Sequence, residues 1–270
     1  MQPKDGDLKM PDVDVSLTHS GFGSTSRTDR WWGPWLTVLV VLSCFVAYAT
    51  WAAFQGIHYR FGPYLSPFYS PELWGNPLTA WIGGKPGWYP SWLIFSPAFF
   101  ILPFPGGFRL TCYYYRGAYY KSFWSDPPSC TVGEPRKTYW GERTLPLVLQ
   151  NIHRYFMYIA LFFIADLAYD AYNGFDFNGH FGMGIGSIVL LVDVILLSGY
   201  TFGCHAIRHR VGGVLDRLSG SRWRKKTYDC VSCLTGRHMT WAWCSLVWVA
   251  FTDFYVRACS MGLIRDWRFF

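Results

Sequence analysis

Charged residues are scarce in this sequence, and their scarcity argues against an ordinary soluble domain. Asp, Glu, Lys and Arg make up 15% of the 270 residues, whereas 51% are hydrophobic and 20% are aromatic. Soluble domains average about 25% charged residues. Acidic residues are the scarcer sign, 17 against 24 Lys and Arg, which gives a net charge of +7. A basic, apolar chain is typical of a membrane protein next to anionic lipid, and it requires no nucleic-acid partner.

Five long stretches lack charge or nearly so, and each predicts a membrane-spanning helix. About 20 apolar residues cross roughly 30 Å of hydrocarbon as a helix. The second stretch contains Pro90, Pro97, Pro103 and Pro105, so its helix is expected to be kinked or discontinuous. The predicted fold class is all-α, a polytopic membrane helical bundle with five spans at residues 35–54, 89–108, 145–167, 181–201 and 238–256.

Lys and Arg are distributed unevenly among the connections between these spans. They concentrate in the N-terminal tail, in the second-to-third connection and in the fourth-to-fifth connection, which alone holds eight. Because cytoplasmic connections carry this excess, the N-terminus is predicted to be cytoplasmic and the C-terminus outside. Residues 1–30 show no hydrophobic periodicity, which predicts a cytoplasmic arm before a membrane domain at residues 31–270. Residues 61–77, rich in Pro and aromatics, predict a packed extracytoplasmic cap.

The basic connections are interleaved with aromatic residues, most densely at residues 112–124. Such a surface, which includes Arg116 and Lys121, is expected to dock a soluble partner. No repeat of fixed period and no pair of inverted halves is evident, which weighs against a secondary transporter.

A set of Cys and His side chains is predicted to gather near the cytoplasmic face. Helical bundles build cofactor sites by bringing such groups to one depth. For His205 and His209, four residues apart, the alternative is hydrogen bonding to phosphates or carbonyls at the interface. For His153, it is a neutral imidazole bonded to a neighbouring helix. The candidate ligands are Cys112, Cys130, Cys204, His153, His205, His209 and His238.

Several metal centres are compatible with these residue types. Two Cys and two His form the ligand set of a Rieske-type two-iron cluster, although the usual short Rieske motifs are absent. Two facing His would serve a haem. Cys230 and Cys233 form a C-x-x-C pair before His238, but zinc there is not expected because no second pair with zinc spacing follows. A disulfide between Cys112 and Cys130 is not expected in a reducing cytoplasm.

Three carboxylates lie within predicted spans: Asp166, Asp193 and Asp253. Charges in lipid are costly, so these side chains are expected to point into the bundle, where they could carry protons. Helix capping explains Asp166 and Asp253 nearly as well. Asp193 is therefore the preferred proton-relay residue.

Five segments of the chain are distinctive in combination: "RLTCYYYRGAYYKSFW", "PPSC", "LQNIHRYF", "GCHAIRHRVGG" and "RHMTWAW". Together they resemble the five-span membrane-anchor subunit of the actinobacterial, mycobacterial type of succinate dehydrogenase, from about residue 35 to the end. The resemblance implies a multi-pass subunit of the bacterial plasma membrane. A flavoprotein subunit that oxidises succinate and an iron–sulfur subunit that relays electrons would dock on its cytoplasmic side.

The resemblance also implies a membrane-embedded [2Fe-2S] Rieske-type cluster, a small additional hydrophobic subunit and transfer of electrons to a quinone, expected to be menaquinone. Haem b is the alternative cofactor, and a higher oligomer of the complex is left open. Four of the seven Cys and His candidates are expected to be ligands. Arg154 and Trp241 are candidates for binding the quinone headgroup. The rival functions are a cofactor-free structural anchor and a proton-coupled transporter or channel.

Overall fold

The computed structural model describes residues 30, 32–77, 79–112, 114, 115, 122, 145–213 and 220–269. These residues are mainly helical, as predicted. Two short antiparallel hairpins pair β1 (Arg60–Phe61) with β2 (Tyr64–Leu65) and β3 (Asp176–Phe177) with β4 (His180–Phe181). The helices are α1 (Trp32–Gln55), α2 (Ala98–Ile101), α3 (Pro103–Thr111), α4 (Leu145–Asn173), α5 (Ile185–Phe202), α6 (His205–Gly212), α7 (Arg222–Thr235) and α8 (His238–Ser260).

Three of these helices are long and apolar enough to cross a membrane: α1, α5 and the Ile152–Asn173 part of α4. They correspond to the first, fourth and third predicted spans. Helix α8 covers the fifth predicted span with 23 residues, but its many polar and aromatic residues keep it outside this apolar set. The structure therefore confirms a mainly helical chain with three candidate membrane-spanning helices, and the count of five spans stays a prediction.

The second predicted span, residues 89–108, does not form one continuous helix. Residues 89–97 are not helical, and the chain becomes helical only at Ala98. Two short helices, α2 and α3, follow, with Pro103 at the start of α3. Proline is tolerated only in the first turn of a helix, because it lacks an N–H and clashes with the preceding turn. The expected discontinuity is thus confirmed, and the helical part spans only about 21 Å.

The connection between α1 and α2 includes a packed cap, as predicted for residues 61–77. Tyr64, Phe68 and Tyr69 are buried in it. The hydroxyl of Tyr69 donates to the carbonyl of Ala52 at 2.7 Å, which ties the cap to the end of α1. Buried Glu72 accepts from the Tyr59 hydroxyl at 2.7 Å and holds the following loop. Aromatic packing and satisfied polar groups thus hold this region, in which the helical part is one 3₁₀ turn at Pro67–Tyr69.

Close helix contacts bring four helix ends together at the opposite end of the bundle. Helix α5 packs against both α4 and α8, and α3 packs against α4. A Cβ at Gly107 would lie 2.5 Å from the Phe156 ring, so glycine permits the α3–α4 approach. A Cβ at Gly199 would likewise lie 2.5 Å from the Trp241 ring, between α5 and α8. The apolar core at this end positions the polar groups described next.

Candidate functional site

Two thiols and two imidazoles meet where the ends of α3 and α5 approach α4 and α8. We call Cys112, His153, Cys204 and His238 the Cys/His cluster. His153 Nε2 lies 3.1 Å from Cys204 Sγ, and His238 Nε2 lies 3.7 Å from Cys112 Sγ. All four residues are buried, with between 2% and 8% of their surface exposed. Thiolate and imidazole donors of this kind bind zinc, copper and iron–sulfur centres.

Local structure explains how each cluster residue reaches its place. Cys112 is the residue that ends α3, and His238 is the first residue of α8. Cys204 is the N-cap of α6, where its Sγ accepts from the backbone N–H of Ala206 at 3.4 Å. Gly203 ends α5 just before it, and a Cβ there would lie 3.1 Å from the carbonyl of Leu234 on α7. The break between α5 and α6 thus places a thiol inside the bundle.

An aromatic ring packs on each imidazole, and a hydroxyl also contacts His153. The Phe108 ring stacks on His153 with centroids 4.7 Å apart, and Tyr200 stacks on His238 at 4.9 Å. Thr111 Oγ1 lies 2.9 Å from His153 Nδ1, in hydrogen-bond contact. An outer contact of this kind orients a ligating imidazole and sets which nitrogen is available. It leaves Nε2 of His153 facing the thiol.

His238 has one nitrogen facing Cys112 and a second, Nδ1, that is buried without a hydrogen-bond partner in the part of the chain that the structure describes. Buried polar atoms normally have partners. Within the same described ranges, no group of three or more His, Cys, Asp or Glu side chains is arranged to hold one metal ion. The cluster therefore consists of two thiol–imidazole pairs, both with donor atoms suited to metals.

The pKa values of the Cys204 thiol and the His205 imidazole are shifted in opposite directions, and both residues lie outside the spanning helices. Burial raises the pKa of the Cys204 thiol to about 12, and the nearby Cys112 contributes in the same direction. Burial also lowers the pKa of His205, with further lowering by Arg208 and His209. A buried thiol in this state stays protonated at neutral pH unless a cation such as a metal ion stabilises the thiolate.

The structure does not bring His205 and His209, two of the other predicted ligands, into the cluster. His205 is exposed, with its ring centroid 6.2 Å from that of His238, and His209 is exposed one turn later. Cys130 lies outside the described residues. Cys230 and Cys233 are exposed on α7, whereas His238 contacts Cys112, so the structure does not join the C-x-x-C pair to that histidine.

The two quinone-binding candidates each follow a cluster residue on a spanning or near-spanning helix. Arg154 is exposed on α4, directly after His153. Trp241 lies one turn after His238 and packs over Gly199. Its indole Nε1 is buried and makes no hydrogen bond within the described ranges. Trp241 thus holds an available donor close to the cluster.

The three intramembrane carboxylates have different surroundings. Asp193 is 1% exposed, and neither of its oxygens is hydrogen-bonded among the described residues. Asp253 pairs with Arg257, and Asp166 accepts from Ser70 Oγ at 2.6 Å. The capping explanation for Asp166 and Asp253 is wrong, because both lie inside helices and bind side chains. The proton-relay role of Asp193 stays a prediction.

Sequence reasoning placed Arg109 in a cytoplasmic connection, but the structure places it in α3, against α8. Its Nη1 donates to the carbonyl of Ala242 at 3.1 Å and its Nη2 to Ser245 Oγ at 2.8 Å. The guanidinium also lies over the Tyr200 ring, 4.6 Å from its centroid. Its position one turn before Cys112, directly after the uncharged residues 89–108, was the available signal for a place against the bundle.

Comparison with known proteins gives a consistent family. Residues 33–262 match the family model described as actinobacterial succinate dehydrogenase subunit SdhC. The structure is similar to a chain of the Mycobacterium smegmatis Sdh1 complex in the apo form, with a TM-score of 0.80 and 44% sequence identity over 91% of this chain and 94% of that chain. No curated protein matched the sequence.

Proposed function

This chain belongs to the actinobacterial succinate dehydrogenase SdhC family, and on that premise we propose that it anchors the soluble subunits and passes their electrons to a membrane quinone. It is a membrane subunit of a succinate dehydrogenase complex. The observation that carries the electron-transfer role is the Cys/His cluster, which places two thiols and two imidazoles together inside the bundle. A redox centre held there would lie at the end of the bundle near the basic helices α6 and α7.

The donor set of the cluster fits a [2Fe-2S] centre of the Rieske type. Such a centre takes two Cys and two His ligands, and it supplies a one-electron carrier whose potential is raised by the imidazoles. Cys112 and Cys204 would provide the thiolates. His153 would bind through Nε2, because Nδ1 contacts Thr111, and His238 has a nitrogen facing Cys112. The chain's own contribution is to orient these groups and to keep water away from them.

Haem b, the alternative cofactor, is less well supported by the same contacts. A bis-histidine haem needs both imidazoles on opposite sides of a porphyrin plane. Here Nε2 of each imidazole contacts a thiol, and one face of each ring is covered by Phe108 or Tyr200. The contacts with the thiols favour mixed Cys and His ligation.

Trp241 is proposed to bind the quinone headgroup. Its buried indole N–H makes no hydrogen bond within the described residues, and it lies one turn from His238. A quinone carbonyl would satisfy this donor, and the ring would form an apolar wall. Arg154, exposed beside His153, is the second candidate for the headgroup. Menaquinone is the quinone that the family resemblance implies.

Asp193 is proposed to relay a proton. Reduction of a quinone to a quinol consumes two protons as well as two electrons. Asp193 is fully buried on α5, and the charge of Arg109 acts on it. A carboxyl group without hydrogen-bond partners among the described residues can take up and release a proton without breaking an existing bond.

The flavoprotein and iron–sulfur subunits are proposed to dock at the end that holds the cluster, on the cytoplasmic side. Helices α6 and α7 carry several cations at this end, and complementary charge favours docking of a soluble partner. The proposed platform residues Arg116 and Lys121 lie outside the described residues. A small additional hydrophobic subunit and a plasma-membrane location belong to the same proposal.

The decisive experiment measures iron, acid-labile sulfide and electron paramagnetic resonance spectra of the purified complex. Cys204→Ser and His153→Ala should remove a mixed Cys/His two-iron signal and abolish electron transfer to quinone. Succinate oxidation with an artificial acceptor, taken from the soluble subunits, should survive. Cys233→Ser and His209→Ala are matched controls, because these side chains are exposed and outside the cluster.

A wild-type complex that holds zinc in place of the extra iron would contradict the redox role, because zinc does not change its oxidation state. Unchanged spectra and unchanged quinone reduction in both cluster variants would also contradict it. Either result would leave the anchoring role intact. That role is tested separately, by measuring whether the soluble subunits co-purify with each variant.

A further inference from the structure

Arg109 is a partly buried cation on α3, close to the Cys/His cluster. Its guanidinium bridges α3 and α8 through the carbonyl of Ala242 and the hydroxyl of Ser245, at 3.1 and 2.8 Å. It also donates to the hydroxyl of Tyr115, a buried residue that itself donates to Ala242. These hydrogen bonds fix the position and orientation of the guanidinium.

A single aromatic ring separates this cation from a cluster residue. The guanidinium carbon lies 4.6 Å from the centroid of the Tyr200 ring, and the centroid of Tyr200 lies 4.9 Å from that of His238. Tyr200 is 1% exposed and His238 is 6% exposed, so no solvent layer separates the partly buried Arg109 from the imidazole along this stack. A positive charge held this way stabilises the more negative, reduced state of any redox centre bound by the cluster.

We infer that Arg109 is a positioning residue whose charge raises the reduction potential of the centre held by the Cys/His cluster. The inference rests on the proposed redox function and adds a residue that binds neither metal nor quinone. A higher potential makes the centre a better acceptor of electrons from the docked iron–sulfur subunit. Arg109 stacks on Tyr200, and Tyr200 stacks on His238. Through these two contacts Arg109 holds the His238 ring in position and places its charge near the centre.

The test is a redox titration of the purified complex, followed by electron paramagnetic resonance. Arg109→Met and Arg109→Gln remove the charge, while Arg109→Lys keeps it and loses the planar fork of donors. Both neutral variants should lower the reduction potential by about 59 mV. This shift corresponds to about a tenfold decrease in the equilibrium constant for one-electron reduction. Arg109→Lys should recover most of the wild-type potential. Arg210→Met is the matched control, because Arg210 is exposed on α6 and screened by solvent.

Iron content is measured in every variant, since a neutral substitution could also prevent assembly of the centre. Loss of iron in the two neutral variants, with iron retained in Arg109→Lys, supports a requirement for the charge. Wild-type potentials in all three variants overturn the inference, and so does loss of iron in all three, because shape rather than charge would then matter. Absence of the signal from the wild-type complex would instead overturn the proposed redox function, and the inference with it.

Discussion

Asp253 and Arg257 form an ion pair buried inside α8, one helical turn apart. Arg257 Nε lies 2.7 Å from Asp253 Oδ2, and at most 2% of either side chain is exposed. Asp253 also accepts from the Tyr48 hydroxyl on α1 at 2.6 Å, and Arg257 donates to the carbonyl of Ile57 at 2.9 Å. The pair therefore joins α8 to α1 and to the connection that follows it, through a network of satisfied hydrogen bonds.

The first prediction follows from this network. Asp253→Ala leaves the Arg257 guanidinium buried without its counter-charge, which is expected to destabilise the fold by about 3 to 5 kcal/mol. The measurement is the thermal unfolding of the complex in detergent. Arg265→Ala removes an exposed arginine near the end of the same chain and should change the stability by less than about 0.5 kcal/mol. Equal unfolding temperatures for the two variants would show that the pair is not a structural link.

The second prediction compares two adjacent glycines in α3. Gly107→Ala places a Cβ 2.5 Å from the Phe156 ring and should cost about 1 to 3 kcal/mol, because α3 must move away from α4. Gly106→Ala is the control, since a Cβ there meets no other described atom within 4 Å. Only the first variant should lower the unfolding temperature and the iron content, because α3 ends at Cys112. Equal unfolding temperatures in the two variants would contradict the close approach, because helix propensity alone favours alanine over glycine at both positions.

The sequence predicted long apolar helices well, because the hydrophobic effect acts over some 20 residues at once and tolerates local exceptions. At residues 89–108 it predicted a discontinuous helix but placed the start of this helix too early, because residues 89–97 are not helical. Apolar composition satisfied the membrane criterion there, while four prolines determined the backbone. The cap at residues 61–77 was predictable from the same reasoning, since prolines and aromatic residues together favour packing without a helix.

The candidate site was predictable as a set of residue types at one depth, but not as contacts. His153 and Cys204 are 51 residues apart in sequence, and no pattern fixes how their helices rotate towards each other. The exposed position of His205 and the inward position of Cys204 depend on the break between α5 and α6 at Gly203. The sequence predicts a loop position for Arg109, because a charge next to an apolar stretch normally marks its end, and no pattern reveals the hydrogen bonds that hold this cation against α8.

The third prediction concerns the contact between Thr111 and His153. Thr111→Val keeps the shape of the side chain but removes the hydroxyl that lies 2.9 Å from His153 Nδ1. Loss of such an outer contact is expected to weaken metal binding by about 10- to 100-fold. Iron retained after incubation with a chelator measures this effect. Thr227→Val is the control, because its hydroxyl bonds only to the carbonyl of Trp223 on an exposed part of α7.

The fourth prediction separates two tryptophans of α8 by the state of their N–H groups. Trp241 Nε1 makes no hydrogen bond within the described ranges, whereas Trp243 Nε1 donates to the Tyr114 hydroxyl at 2.7 Å. Trp241→Phe should raise the KM for a soluble quinone analogue by about fivefold, because one neutral hydrogen bond contributes about 1 kcal/mol. Trp243→Phe should leave that KM unchanged. Equal KM values in the two variants would remove Trp241 from the quinone site.

The fifth prediction tests the proton relay at Asp193. Asp193→Asn keeps the size of the side chain and removes its ability to release a proton, so quinone reduction should slow by about 100-fold or more. Succinate oxidation with an artificial acceptor and the iron content should both stay at wild-type values. Asp229→Asn, at an exposed position of α7, is the control for removing an acidic group. The neutral amide also lowers the free-energy cost of burying this side chain, so the fold should be no less stable in Asp193→Asn. A variant that is stable but slow in quinone reduction would separate a proton-transfer role from a structural one. A variant that reduces quinone at the wild-type rate would show that protons reach the quinone by another route.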